Sequence, residues 1–375
     1  MVVYHAAAGE LEQMMSVTTK IDQSLALLTM SASLEAYNAY NSLDRPTCCL
    51  DPKCVTPPLG YDLVDCWTGV DTVFANNLVE CFGVVFRTRS EPYSYIFAFR
   101  GTDSIFDAID DLDFWYQAPF SPYYGWSDPV PSRPLVSSGF WGIYRTSIPG
   151  TPGTRARPSM QTQLFNLLEK YHGSIDRLII TGHSLGAALC ELFTLDLALS
   201  PYHGINYINY NYACPKVGDP AFAQLYNAQR QEQNPSTCTL RIQNTYDIVP
   251  CTPPSLPGLF SYQHAGTAYL LAFYNKNAGY IDPMAKYYDH QALNYQAVLT
   301  CAVQSPDGIC VNDNLKVPTD AETLVSLKPD PTTLCQWWPM PTMTRRVPAG
   351  AALAPLQQSA VIAQPATAPI IPPPA

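Results

Sequence analysis

Residues 180–190 run ITGHSLGAALC, and the setting of Ser184 between Gly182 and Gly186 decides how the rest of the chain is read. Leu178, Ile179 and Ile180 form a short apolar run before the glycines. Leu185, Ala187, Ala188 and Leu189 follow them with the density of a buried helix. A strand that turns into a helix within one residue leaves no room for side chains beside the apex, which gives both glycines a steric purpose. The serine then stands over the carboxyl end of its strand. The helix N-terminus behind it favours a developing negative charge, and the Leu185 N–H is placed to donate to that charge. The plainer alternative is a glycine-rich turn with an incidental serine. His183, inside the motif, is expected to pack beside the turn and not to act in the chemistry.

Working outward, strand-like runs occupy Val79–Arg87, Tyr93–Arg100, Arg177–Thr181, Ile205–Tyr212, Thr239–Gln243 and Tyr269–Tyr274. Helical patterns cover Gln161–Tyr171 and Gly186–Leu199, on either side of the Arg177 strand. Residues 16–41 carry Ile21, Leu25, Leu28 and Ala32 at helical spacing, which predicts one or two N-terminal helices. This alternation predicts an α/β protein with a parallel or mostly parallel sheet and helices on both faces. The Pro- and Cys-rich stretch 45–70 is expected to be an irregular cover. From about Thr344 the chain is Ala/Pro-rich and ends IIPPPA, a composition with little to fold on. The expected organisation is one domain over 1–343 and a disordered tail over 344–375.

Bulk properties narrow the function. With 375 residues and 47% hydrophobic content the chain can bury a substantial core. It has no run of 18 apolar residues, so no transmembrane segment is expected. A net charge of −10 and a pI near 5.0 argue against nucleic acid and against anionic lipid as partners. The twelve cysteines show no paired CxxC units, so no metal is expected there. The N-terminal MVVYHAAAGELEQ lacks a basic region followed by an apolar core, the pattern of a secretory signal. That favours a cytoplasmic, mostly reduced protein, whereas the cysteine count would suit disulfides in a secreted one.

GHSLG, taken with five further stretches, resembles the class 3 lipases, the fungal triacylglycerol lipase family of the α/β-hydrolases. FRGTDS at 99–104, IDDLDF at 109–114, VSSGF at 136–140, ACPKVGD at 213–219 and NTYDIVP at 244–250 resemble family segments in order and spacing, over roughly residues 80–300. Two positions depart from the pattern: Ser137 stands where a histidine is usual, and Cys214 stands near the usual serine. The resemblance implies an α/β-hydrolase fold with a helical lid. It also implies a Ser-Asp-His order of catalytic groups, with no cofactor.

Ser184 is then the nucleophile. Asp247 is the orienting acid, since it follows the apolar LRIQN run and Val249-Pro250 stops the strand; a turn cap is its plainer reading. Asp219 is better explained as a turn residue before Pro220. Only His264 and His290 lie after Asp247. The base must reach the carboxyl edge of the sheet on a late loop, which favours His290, at the head of an amphipathic helix. His264 falls where the family carries a structural H-x-G. The resemblance puts the second oxyanion donor at Thr102, beside Leu185.

Residues 104–117 (SIFDAIDDLDFWYQ) place Ile105, Ile109, Leu112 and Tyr116 on one helical stripe with acids largely elsewhere. In the family this position is a mobile lid, and such a stripe can be buried on the site or against lipid. An ordinary surface helix is the alternative. The expected function is a serine carboxylester hydrolase acting on neutral lipids such as triacylglycerol, at a lipid–water interface. A phospholipase, a short-chain or aryl esterase with the same triad, and a catalytically silent hydrolase-fold binding protein are the competing readings.

Overall fold

The computed structural model describes residues 17–18, 21–41, 54–71, 78–102, 116–127, 133–150, 156–231, 239–255, 260–275, 289–304 and 324–326. Residues 104–115 of the expected lid, residues 45–53 of the cysteine-rich stretch and the whole tail 344–375 lie outside them.

The strands are β1 (Val17–Thr18), β2 (Tyr61–Asp71), β3 (Leu78–Thr88), β4 (Ser94–Phe99), β5 (Gln117–Pro119), β6 (Leu135–Ser137), β7 (Arg177–His183), β8 (Tyr207–Tyr212), β9 (Thr239–Asn244), β10 (Thr267–Leu271), β11 (Phe273–Asn275) and β12 (Leu324–Ser326). The helices are α1 (Gln23–Asn41), α2 (Ser138–Arg145), α3 (Met160–Tyr171), α4 (Leu185–Ala198), α5 (Pro220–Gln231) and α6 (Ala292–Gln304). One eight-stranded sheet has the order β1-β10-β9-β8-β7-β4-β3-β2. Strand β3 runs antiparallel to both its neighbours, β2 and β4, and from β4 to β1 every pairing is parallel.

Side-chain alternation on the central strands explains the two helical layers. Tyr95, Phe97 and Phe99 of β4 and Leu178 and Ile180 of β7 face one core, with Phe140 of α2, Leu164 of α3, Leu189 of α4 and Phe222 of α5. Ile96 and Ala98 of β4 and Ile179 of β7 face the other, with Met30 of α1 and Val298 of α6. A strand buried on both faces must be apolar at consecutive positions, which is why these runs lack polar alternation. The expected fold, an α/β-hydrolase sheet with helices on both faces, is the one found.

Three expectations need correction. The 45–70 stretch is not irregular throughout: Tyr61–Asp71 is the edge strand β2, eleven residues long and paired with β3. Its prolines end at Pro58, and Trp67 is buried at 1% exposure against Phe97 and Phe99. The run Tyr269–Tyr274 is two strands, because β10 pairs with β9 while β11 pairs antiparallel with β12. The break is held by Asn244, whose side-chain oxygen accepts the Phe273 N–H (3.0 Å) and whose amide donates to the Phe273 carbonyl (2.9 Å). Finally, α6 begins at Ala292, so His290 lies in a helical turn just before it and does not head it.

Candidate active site

Strand β7 ends at His183, helix α4 begins at Leu185, and Ser184 alone makes the turn, at φ 60° and ψ −126°. L-residues seldom adopt that conformation, and holding one there costs on the order of 1–3 kcal/mol. The surrounding contacts enforce it. The Ser184 N–H donates to the Tyr212 carbonyl (3.0 Å), and its own carbonyl accepts from Ala187 N–H (2.9 Å). A Cβ on Gly182 would sit 2.6 Å from the Gly186 backbone, and one on Gly186 would sit 2.6 Å from the Phe99 carbonyl. The two glycines therefore let the helix start pack directly on the ends of β7 and β4.

The end of β4 closes the same corner. Phe99 pairs with Gly182 across the sheet, and a Cβ on Gly101 would lie 2.5 Å from the His183 carbonyl. Thr102 follows, half-buried, and Leu185 is buried at the helix start. Both expected oxyanion donors thus lie on segments that abut the serine turn.

On the other side, β9 ends at Asn244 and the chain turns through Asp247 into a short 3-10 turn, Val249–Cys251. Asp247 is fully buried. Its Oδ1 accepts the Val249 N–H (2.9 Å), and its Oδ2 accepts the His290 Nδ1–H (2.7 Å) and the Tyr295 O–H (2.9 Å). Burial pushes the carboxyl upward, against the Val249 and Tyr295 donors that favour the anion. Burial pushes the His290 imidazole down, which keeps it neutral and able to accept a proton. With Nδ1–H committed to Asp247, the accepting nitrogen is Nε2, which is buried and has no hydrogen-bond partner among the described residues.

His264 is not near this chemistry by contact. Its Nε2–H donates to the Pro250 carbonyl (2.7 Å), so it braces the turn that follows Asp247. Asp219 caps α5, accepting Phe222 N–H (2.8 Å) and Leu135 N–H (3.2 Å), as a turn residue should. Ser137 is buried at the end of β6, and Cys214 is a buried thiol 3.4 Å from Glu191 Oε1, its ionisation opposed by burial. Cys66 and Cys190 are also thiols, whereas Cys251 and Cys301 are disulfide-bonded.

Sequence reasoning missed three residues that shape the site. Tyr295 donates to Asp247 and accepts the Asn244 N–H (2.8 Å). Asn244, besides pinning Phe273, donates to the Asp289 carbonyl (2.9 Å), next to His290. Tyr37 of α1 meets His183 Nδ1 at 3.0 Å. Asn244 was visible inside NTYDIVP, but Tyr295 and Tyr37 are tyrosines on helices rich in apolar residues, which ordinarily signal only a core. Among the described residues no group of three His, Cys, Asp or Glu side chains is placed to hold a metal ion, and no helix is long and apolar enough to cross a membrane.

Residues 96–256 match the family model "Lipase (class 3)". Phospholipase A1-II 4 of Oryza sativa subsp. japonica is 30% identical over 164 residues, covering 42% of this chain and 40% of that protein. Phospholipase A1-IIalpha of Arabidopsis thaliana is 27% identical over 226 residues, covering 57% of this chain and 50% of that protein. The matches thus span half or less of the length of these relatives. Among solved structures, the nonglycosylated Yarrowia lipolytica LIP2 lipase aligns with a TM-score of 0.50 at 21% identity, covering 69% of this chain and 83% of that one.

Proposed function

We propose that this chain, whose residues 96–256 match the class 3 lipase family model, is a serine carboxylester hydrolase cleaving acyl esters of neutral lipids such as triacylglycerol. The observation that carries the reading is His290: Nδ1 bound to a buried carboxylate, Nε2 without a partner among the described residues, and its main chain tied to the residue before Ser184. Nε2 takes the Ser184 proton as Oγ attacks the ester carbonyl, and Asp247 holds the tautomer and stabilises the imidazolium. The Leu185 N–H and Thr102 donate to the oxyanion. The imidazolium protonates the leaving alkoxide, and water then repeats the sequence on the acyl-enzyme. The disulfide-bonded Cys251 and Cys301 fit an oxidising compartment for this work.

The second reading keeps the chemistry and changes the head group. Both curated relatives described above are named phospholipase A1, which favours a phospholipid acyl ester. A panel of p-nitrophenyl esters of rising chain length, triacylglycerol and phosphatidylcholine separates the two. Higher kcat/KM on triacylglycerol supports the first reading, and higher kcat/KM on phosphatidylcholine replaces it with the second. A fluorophosphonate should label the wild type and not Ser184→Ala, whose kcat should fall about 10^6-fold. A chain that is neither labelled nor active on any ester would be a silent binding protein.

A further inference from the structure

His183 occupies an unusual place for a histidine the chemistry does not use. It is the last residue of β7, covalently joined to Ser184, and it is buried at 2% exposure. Its Nε2 lies 2.8 Å from the main-chain carbonyl of His290, and the two rings pack with centroids 4.6 Å apart. A carbonyl only accepts, so Nε2 carries the proton. In a neutral ring Nδ1 is then bare, and the Tyr37 O–H at 3.0 Å donates to it. Burial holds the ring below the ordinary imidazole range, in agreement with that neutral tautomer.

We propose that Tyr37 and His183 form a positioning relay, in which Tyr37 orients the His183 ring and His183 sets the distance between the His290 main chain and the neighbouring Ser184. The proposal rests on the reading of Ser184 and His290 as nucleophile and base. Its physical content is that the base is fixed at two points, by Asp247 at its ring and by His183 at its backbone. The second point refers directly to the serine, through one hydrogen bond and one peptide link. The Tyr37 hydroxyl also fills the space a Gly101 side chain would need, so the same group abuts the loop that carries Thr102. A histidine filling space in the core would need a partner for each nitrogen, but it would not need the carbonyl of the base. Tyr37 and His290 both lie outside the family-matched residues, so α1 becomes part of the working site and not a cover.

Three variants test this: His183→Phe, which keeps a ring of similar size; His183→Gln, whose side-chain amide can still donate toward the His290 carbonyl; and Tyr37→Phe. With a p-nitrophenyl ester, His183→Phe should lower kcat about 10- to 100-fold, the scale of a small misplacement of reacting groups. KM should stay within about twofold, because substrate contacts are unchanged. His183→Gln should recover most of that loss. Tyr37→Phe should lower kcat by about three- to tenfold in the wild type and cause no further loss on the His183→Phe background, the non-additivity expected of a relay. A kcat for His183→Phe equal to wild type, or independent effects of the two changes, would overturn it. If His183→Phe does not fold, the pair His183→Gln and Tyr37→Phe decides: wild-type kcat in Tyr37→Phe would then refute the relay. Ser184→Ala and His290→Ala run alongside; were either fully active, the catalytic reading itself would fail, a result distinct from failure of the relay alone.

Discussion

Helix α4 and the loop after β9 each bury a carboxylate, and the two are bonded almost identically. Asp196, near the far end of α4 from Ser184, accepts a backbone N–H on Oδ1 (Tyr123, 2.7 Å) and a tyrosine O–H on Oδ2 (Tyr144, 2.9 Å). Asp247 accepts a backbone N–H on Oδ1 (Val249, 2.9 Å) and a tyrosine O–H on Oδ2 (Tyr295, 2.9 Å). Both are 0% exposed, and burial raises both above the ordinary carboxyl range, Asp196 to about 6. Only the third donor differs. For Asp196 it is the Gln161 amide (2.7 Å), which has no proton to pass on. For Asp247 it is the His290 imidazole (2.7 Å), whose second nitrogen is bare among the described residues. A buried carboxylate with a tyrosine is therefore a way to tie elements together, and under the proposed function the titratable third partner turns the same arrangement into a device that moves protons.

The widest separation should come from removing the charge at each place. Asp247→Asn should lower kcat/KM about 10^4-fold with the fold retained, because the imidazole loses the acceptor that fixes its tautomer. Asp196→Asn should leave kcat/KM within a few-fold of wild type and lower stability by about 1–3 kcal/mol, the scale for mismatched buried donors. Comparable activity losses in the two variants, measured on folded protein, would erase the distinction.

A smaller test removes one hydroxyl from each. Tyr295→Phe should lower kcat by about tenfold or less, in line with one hydrogen bond of about 0.5–1.5 kcal/mol. Tyr144→Phe should lower only the unfolding free energy, by a similar amount. An unchanged kcat in Tyr295→Phe would make that tyrosine purely structural, like its counterpart.

pH sharpens the contrast most finely. Asp196 binds its proton more tightly folded than unfolded, so its contribution to stability falls as pH rises from about 4 to about 6. Asp196→Asn lacks that slope, so its stability deficit relative to wild type should narrow across this window in urea titrations. His290 has the opposite sign: burial depresses it, and the proposed mechanism uses the neutral form. The acid limb of kcat/KM should accordingly fall below the ordinary imidazole value of about 6.5. A limb at or above 7 would mean that the Asp247 charge outweighs burial.

Much of this was present in the linear chain. The glycine spacing around Ser184 has one steric solution, a strand-to-helix turn, and the apolar runs on either side supply the strand and the helix. Consecutive apolar residues in β4 and β7 announced a sheet covered on both faces. Local chemistry of that kind is written in neighbouring residues, so it survives reading without a structure. The edge strand β2 was hidden because Pro and Cys upstream dominated its composition, and the break between β10 and β11 was hidden because it depends on Asn244, 29 residues away from Phe273.

By itself, then, the sequence determined the elbow, the parallel sheet and the order in which nucleophile, acid and base candidates occur. Tertiary structure alone decided which histidine meets Asp247. It also decided that the aspartate on α4 is a strut and that Tyr295, Asn244, His183 and Tyr37 converge around His290. The reason is physical: a turn is set by the sterics of adjacent residues, whereas a hydrogen bond between side chains 43 or 146 positions apart exists only once the sheet has brought its strand ends together.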